Sequence, residues 1–349
     1  MELLRFLPIS VVIFICLTIV SSESIEIKLG QKDNAQNYNH EFATTVVEYA
    51  SAVYENDPDK LLKWNCIRCG NDKIKNFKII QLVVDVQNCL QAFIGFADDL
   101  NSIVIAFRGT RETSIRNWVE NLSWKQLDLN YPDMPDAMVH HGFYSAYHET
   151  TLRPGILDGI QKAKTSMGSN TGIIVTGHSM GGAMATFCAL DLTINNGMDD
   201  VQLMTFGQPR VGNAAFASHF SQHVPNTFRV TNNNDMVPHL PPYVSELPQK
   251  TYHHVPTEVW LYKSGGSGNA IEKICDGSGE DPNCSRSVPG NSISDHLEYF
   301  GVELRADKSE TSKIVANKSL GNIKIDDYGN LVLSKDLSNP PLPDTISQI

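Results

Sequence analysis

The 349-residue sequence predicts an α/β fold, a mostly parallel central sheet flanked by helices, on three observations. From residue 172 onward, strand-like and helix-like segments alternate, and parallel pairing needs such a crossover between successive strands. The run Ile173-Ile174-Val175-Thr176 leads straight into Gly177-His178-Ser179-Met180-Gly181, after which Met180 to Leu192, rich in Ala, Met and Leu, reads as a helix. That is a strand turning sharply into a helix, with glycines on either side of a strained serine. The length left after a leader, about 325 residues, suits one large α/β unit with a sizeable core.

Taken in order, residues 1–24 read as a signal peptide. Arg5 precedes the apolar stretch Phe6 to Val20, interrupted only by Pro8, Ser10 and Thr18, and Ser21-Ser22-Glu23-Ser24 follows. No second apolar run of spanning length appears, so a secreted protein or one in the secretory lumen is expected, without an integral membrane span after leader removal. His40 to Tyr54 reads as an amphipathic helix and Phe77 to Val86 as a strand. Gln91 to Phe96 and Ile103 to Phe107 form a hairpin through Asp98-Asp99-Leu100-Asn101. A long helix is expected from Phe143 to Met167, then strand 172–176, helix 180–195, strand Val201 to Phe206, a helix from Ala214 to His223 and strand Thr227 to Thr231. Residues 264–292, rich in Gly, Ser and Asn, read as loop, and a final helix begins at His296. Residues 302–349 turn polar and read as a mobile tail, with a small hairpin over Asn322 to Ser334 as the alternative.

Removing Glu2, Arg5 and Glu23 with the leader takes the net charge from −11 to −10. That balance argues against nucleic acid and against electrostatic capture by anionic membranes, so any lipid contact is expected to be apolar. Six cysteines remain after Cys16. The close pairs Cys66 with Cys69 and Cys275 with Cys284 are the natural local bridges in an oxidising compartment, while Cys89 and Cys188 read as buried free thiols, with a mutual bridge as the alternative. No metal or cofactor is expected. Sequons at Asn121, Asn283 and Asn317 are compatible with secretion.

A serine hydroxyl at such a turn is a poor nucleophile until a histidine takes its proton and a carboxylate holds that imidazole. Sheets of this kind supply the partners in the order Ser, Asp, His. Asp235 lies in a loop just past the strand ending at Thr231, at the carboxyl end of the sheet where such sites form, whereas Asp191, Asp199 and Asp200 sit in or just after the helix that follows Ser179. Among His239, His253, His254 and His296, the last ends a long loop able to return over the sheet. His254 is the reserve.

These residues resemble the class 3 (fungal-type) triacylglycerol lipase family over roughly residues 40–301, which sets the catalytic domain at 25–301. The likeness rests on Ala106-Phe107-Arg108-Gly109-Thr110, Ser114-Ile115-Arg116-Asn117-Trp118, the Ser179 turn, Thr205-Phe206-Gly207-Gln208-Pro209-Arg210-Val211-Gly212, Asp235-Met236-Val237-Pro238 and Asp295-His296. The resemblance implies an α/β-hydrolase fold with a short helical lid, a triad of Ser179, Asp235 and His296, an oxyanion hole from the Thr110 and Met180 amides, and the same two bridges. The family's long bridge from the N-terminal region to the C-terminal end has no counterpart. Ile115, Trp118, Val119 and Leu122, at i, i+3, i+4 and i+7, form one apolar stripe, and their place after the oxyanion turn makes residues 111–124 the lid. Arg111 and Glu112 are two residues more than the fungal enzymes have there. The implied activity is hydrolysis of glycerolipid acyl esters at a lipid–water interface, with triacylglycerol leading. Phospholipid, galactolipid or feruloyl-type esters, acyl transfer to an alcohol, or a non-catalytic lipid-binding role on the same scaffold are the alternatives.

Overall fold

The computed structural model describes residues 38–167, 171–244, 251–263, 270–306, 322–325 and 330–334. The leader expected at 1–24 and the sequon at Asn317 lie outside them. Helices α1 (His40–Ala52) and α2 (Pro58–Lys63) precede strands β1 (Lys78–Asp85), β2 (Leu90–Ala97) and β3 (Ser102–Phe107). Helix α3 (Glu112–Glu120), the short strands β4 (Gln126–Asp128) and β5 (Met138–His140), and helices α4 (His141–His148) and α5 (Leu152–Met167) follow. Then come β6 (Gly172–His178), α6 (Met180–Ile194), β7 (Val201–Phe206), α7 (Ala214–His223), β8 (Thr227–Asn232), β9 (Glu258–Lys263) and β10 (Ala270–Ile274). The chain closes with β11 (Glu298–Tyr299), β12 (Val302–Glu303), β13 (Asn322–Ile325) and β14 (Leu331–Ser334).

Among the described residues one ten-stranded sheet runs in the order β10-β9-β8-β7-β6-β3-β2-β1-β14-β13. Its middle, β3-β6-β7-β8-β9, is parallel throughout, and antiparallel strands flank it on both sides. Parallel strands covered on both faces should read as near-continuous apolar runs, and β3 does. Ile103, Ile105 and Phe107 enter the core shared with α4 to α7, while Val104 and Ala106 enter the one under α1 and α2.

Three expectations of secondary structure are corrected, and one alternative is decided. The single helix from Phe143 to Met167 is two, because Pro154 has no N–H and its ring excludes the carbonyl four residues back, so it fits only a first turn. Thr151 instead donates its N–H and hydroxyl to Asp85 Oδ2. Within the 264–292 loop lies β10, a short polar edge strand without a long apolar run to announce it. No helix begins at His296: β11 and β12 form a hairpin whose two-residue turn, Phe300-Gly301, has φ of 54° and 79°, as such turns require. In the tail the alternative holds, for β13 pairs antiparallel with β14 as the hairpin over Asn322 to Ser334 requires, and β14 pairs with β1, so the sheet extends past residue 301. Lys162 Nζ pins this end to Gln81 Oε1 and Ser334 Oγ, each at 2.8 Å.

Cys66 is bonded to Cys69 and Cys275 to Cys284. Cys188 is buried and unbridged. Cys89, expected to be buried, is instead exposed in the turn between β1 and β2, and its φ of 55° shows how tight that turn is. Arg108 is buried without a carboxylate partner among the described residues. It donates to the Cys89 carbonyl at 2.7 Å, and burial lowers its pKa to about 10.

His140 is buried against Phe143, with ring centroids 3.9 Å apart, and desolvation pulls its pKa from 6.5 down to about 4. Above pH 6.5 both folded and unfolded chains carry it neutral. As pH falls from 6.5 to 4 the unfolded chain takes up a proton that the folded chain refuses. Stability therefore drops across that window by about 1.4 kcal/mol per pH unit for this group alone. His148, half-buried and also lowered to about 4, adds a smaller loss of the same sign. Unfolding free energies from urea titrations at pH 7, 6, 5 and 4 should decline accordingly, and a flat series would mean these rings are solvated.

Candidate active site

Ser179 joins β6 to α6 with φ 58° and ψ −131°, a strained conformation for a residue with a side chain. A Cβ on Gly177 would strike the Gly181 backbone, and one on Gly181 the Phe107 carbonyl, so both flanking glycines are needed for the turn to close. The strand pairing fixes its height: Ser179 N donates to Phe206 O at 3.0 Å, at the carboxyl end of β7. Its side chain is fully buried, and Oγ has no hydrogen-bond partner among the described residues.

The acid and the histidine arrive together. Asp235 sits in the turn after β8, and the returning loop docks on it, with Met236 N donating to Ser292 O at 3.3 Å and Ser292 N to Asn234 O at 2.9 Å. Asn232 Nδ2 donates to the carbonyls of Asp295 (3.1 Å) and Glu298 (2.8 Å), and Asn234 N donates to Asp295 Oδ2 (3.1 Å). His296 is thus held on both sides. Its Nδ1 lies 2.9 Å from Asp235 Oδ2, while Asp235 Oδ1 accepts from Val237 N at 2.8 Å and Oδ2 also accepts from the Tyr299 hydroxyl. A carboxylate only accepts, so His296 carries its proton on Nδ1 and presents Nε2 as a base. Nε2 is buried and, like Ser179 Oγ, has no partner among the described residues.

Two further residues, neither of them a candidate on the sequence, complete this wall. His178, the residue before Ser179, lies tilted against His296 with ring centroids 4.3 Å apart. It donates from Nε2 to the His296 carbonyl at 2.7 Å and accepts at Nδ1 from the Tyr54 hydroxyl at 2.7 Å. Burial keeps its pKa well below 6.5, so a neutral ring stands next to His296. Gly207 is the other. At φ 56°, a Cβ there would sit 2.8 Å from Asp235 Oδ2 and 2.9 Å from both His296 Nδ1 and Tyr299 Oη, so any side chain would split the pair. Phe206, whose carbonyl takes the Ser179 amide, directly precedes Gly207.

Met180 is the first residue of α6, so its amide is one of the unpaired donors of a helix start. Thr110 faces it from the end of β3, its Oγ1 3.9 Å from Met180 Sδ. Helix α3 lies beyond. Ile115 is buried, and Trp118 and Leu122 pack on the core, Trp118 stacking on Phe143 at 6.1 Å between centroids. Val119, half-buried, is at the margin of that stripe. Outside the stripe, Glu112 pairs with Arg305 at 3.4 Å, and Asn121 ends the helix exposed. Cys275, Asp281 and Cys284 cluster closely, but both sulfurs are spent in the bridge and offer no thiolate.

A parallel sheet with a strained serine between strand and helix, and an Asp–His pair on loops from later strands, defines an α/β-hydrolase fold. The profile for "Lipase (class 3)" matches residues 104–245. The chain is 35% identical to a lipase of Rhizomucor miehei over 246 residues, 68% of this chain and 62% of that protein. It is 33% identical to lipase ZK262.3 of Caenorhabditis elegans, over 63% of this chain and 67% of the relative. A solved triacylglycerol lipase, whose catalytic centre is described as a serine protease triad, superimposes with a TM-score of 0.65 at 31% identity, covering 76% of this chain and 95% of that one. The chain belongs to the class 3 lipase family.

Proposed function

We propose that the chain is a secreted serine ester hydrolase that cleaves acyl esters of glycerolipids, triacylglycerol first among them. The observation that carries this reading is the buried, strained Ser179 together with a buried His296 whose free nitrogen is Nε2 and whose Nδ1 is held by Asp235. Ser179 Oγ attacks the ester carbonyl as His296 Nε2 takes its proton, and Asp235 stabilises the resulting imidazolium. The amides of Thr110 and Met180 receive the developing oxyanion, each worth about 3 to 4 kcal/mol in the barrier. His296 returns the proton to the leaving glyceride alcohol, then activates water to release the fatty acid from Ser179. The activity described for the solved relative supports triacylglycerol as substrate. Two disulfides, and no described helix long and apolar enough to cross a membrane, fit a secreted protein.

Helix α3, as the lid, makes the activity depend on an interface. Ile115, Trp118 and Leu122 each lose at most about 1.5 to 3 kcal/mol on leaving their packing for water, and a lipid surface returns that burial. Opening is therefore costly in water and favourable on a droplet. Specific activity on tributyrin should jump as its concentration passes the solubility limit. Equal specific activity on both sides of that limit would remove the gating role while leaving the hydrolase intact.

A further inference from the structure

His254 lies on the segment entering β9, outside the cluster of Ser179, His296 and Asp235, and it is 3% exposed. Its Nε2 is 2.7 Å from the Pro238 carbonyl. A carbonyl only accepts, so Nε2 carries the proton and Nδ1 is bare, buried without a partner among the described residues. The His254 backbone N donates to Glu280 Oε1 at 3.0 Å, and that carboxylate forks with Arg210 through Nε (2.7 Å) and Nη2 (2.9 Å). Arg210 in turn donates from its backbone N to Leu240 O at 2.7 Å and from Nη1 to Pro241 O at 3.0 Å. The stretch from Pro238 to Pro241 is thus clamped at both ends, its start by His254 and its finish by Arg210.

The clamped stretch is the one that aims the acid. Val237 opens the short 3₁₀ turn Val237–His239, and its N–H donates to Asp235 Oδ1, which sets the plane in which Oδ2 meets His296. We propose that His254 is a positioning residue for the ester hydrolysis: its neutral Nε2–H holds the Pro238 carbonyl, and so holds the turn that orients the Asp235 carboxylate toward His296. The proposal rests on the reading of Ser179, His296 and Asp235 as the triad. A second proton, on Nδ1, would be buried with no acceptor and close to the Arg210 and Arg229 guanidinium groups. Burial first, and those charges second, keep His254 neutral well below 6.5, so the clamp holds through the pH range in which His296 must act as a base.

The test compares His254→Gln, whose amide nitrogen reaches the position of Nε2, with His254→Asn, whose amide nitrogen reaches only that of Nδ1. The assay is hydrolysis of a soluble short-chain p-nitrophenyl ester, with Tm measured for each variant. The Asn variant should lose about 10- to 100-fold in kcat with KM nearly unchanged, and the Gln variant should recover most of it, because misplacement of a reacting group by an ångström costs that much. The low-field proton signal of the His296 Nδ1–H should move in the Asn variant and stay in the Gln variant. Equal kcat in the two variants, or losses of kcat that merely track Tm, would overturn the proposal. Should neither variant fold, nitrogen-15 spectra of histidine-labelled wild type decide it, since an Nδ1–H tautomer at His254 is incompatible with the clamp. A wild type silent on every ester sinks the triad reading itself; an active wild type with equal variants sinks only the clamp.

Discussion

Ser179→Ala should lose about 10⁶-fold in turnover on any ester the wild type cleaves, and fold as well as the wild type. Both halves follow from the local geometry. Alanine keeps the Cβ that already tolerates φ 58°, so the turn is no more strained than before. The hydroxyl it removes is buried and bonded to no described residue, so its loss leaves no partner unsatisfied, and Tm should hold or rise slightly. What disappears is the nucleophile, and with it the acyl-enzyme that divides one high barrier into two lower ones. The remaining donors and the bound water give at best a weak background. The measurement is kcat on tributyrin droplets beside Tm from scanning calorimetry. An alanine variant retaining a tenth of wild-type turnover would assign the nucleophile elsewhere, and equal silence of both proteins would favour a lipid-binding role on the same scaffold.

The features that the sequence exposed were the local ones. The Ser179 turn needs only a strand, two glycines and a helix, all contiguous, and the alternation of strands and helices after residue 172 is likewise read within a window of ten to fifteen residues. The choice of His296 over His254 needs the return path of a long loop, and that path is built by the Asn232 side chain and the backbone of Asn234 and Met236 on one side, the Ser292 backbone and the Asp295 carboxylate on the other. Nothing in their spacing announces them. The same holds for Tyr299, which reaches Asp235 only because Phe300-Gly301 makes a hairpin where a helix was expected. Pro154 is the visible signal of the break between α4 and α5, since a proline inside the apolar pattern of Phe143 to Met167 implies a new first turn. The strands β10, β13 and β14 are short and partly polar, and their place is settled by the edge they pair with, which lies far away in the chain.

Asp235→Asn should reduce kcat about 10⁴-fold with little change in KM, because it reverses the tautomer of His296 rather than removing it. The hydrogen-bond inventory shows why. The wild-type carboxylate accepts three times, from Val237 N–H on Oδ1 and from His296 Nδ1–H and the Tyr299 hydroxyl on Oδ2. A carboxamide has one oxygen. Backbone Val237 N–H cannot turn away, so the oxygen must face it, and the amide NH₂ then points at His296. The Tyr299 hydroxyl can rotate to accept, but His296 Nδ1 can accept only by giving up its proton, which moves to Nε2. Nε2 then has no lone pair for the Ser179 proton. The fold should survive, since every group keeps a partner, and Gly207 leaves the space unchanged. Asp295→Asn, one residue before the histidine, alters a side chain whose one hydrogen bond among the described residues is from the Asn234 amide, and should stay within about tenfold of wild type, as loss of one such bond costs about 1 kcal/mol. A rate for Asp235→Asn no lower than that of Asp295→Asn would show that the carboxylate neither sets the tautomer nor stabilises the imidazolium. The base would then have to act without an acid behind it.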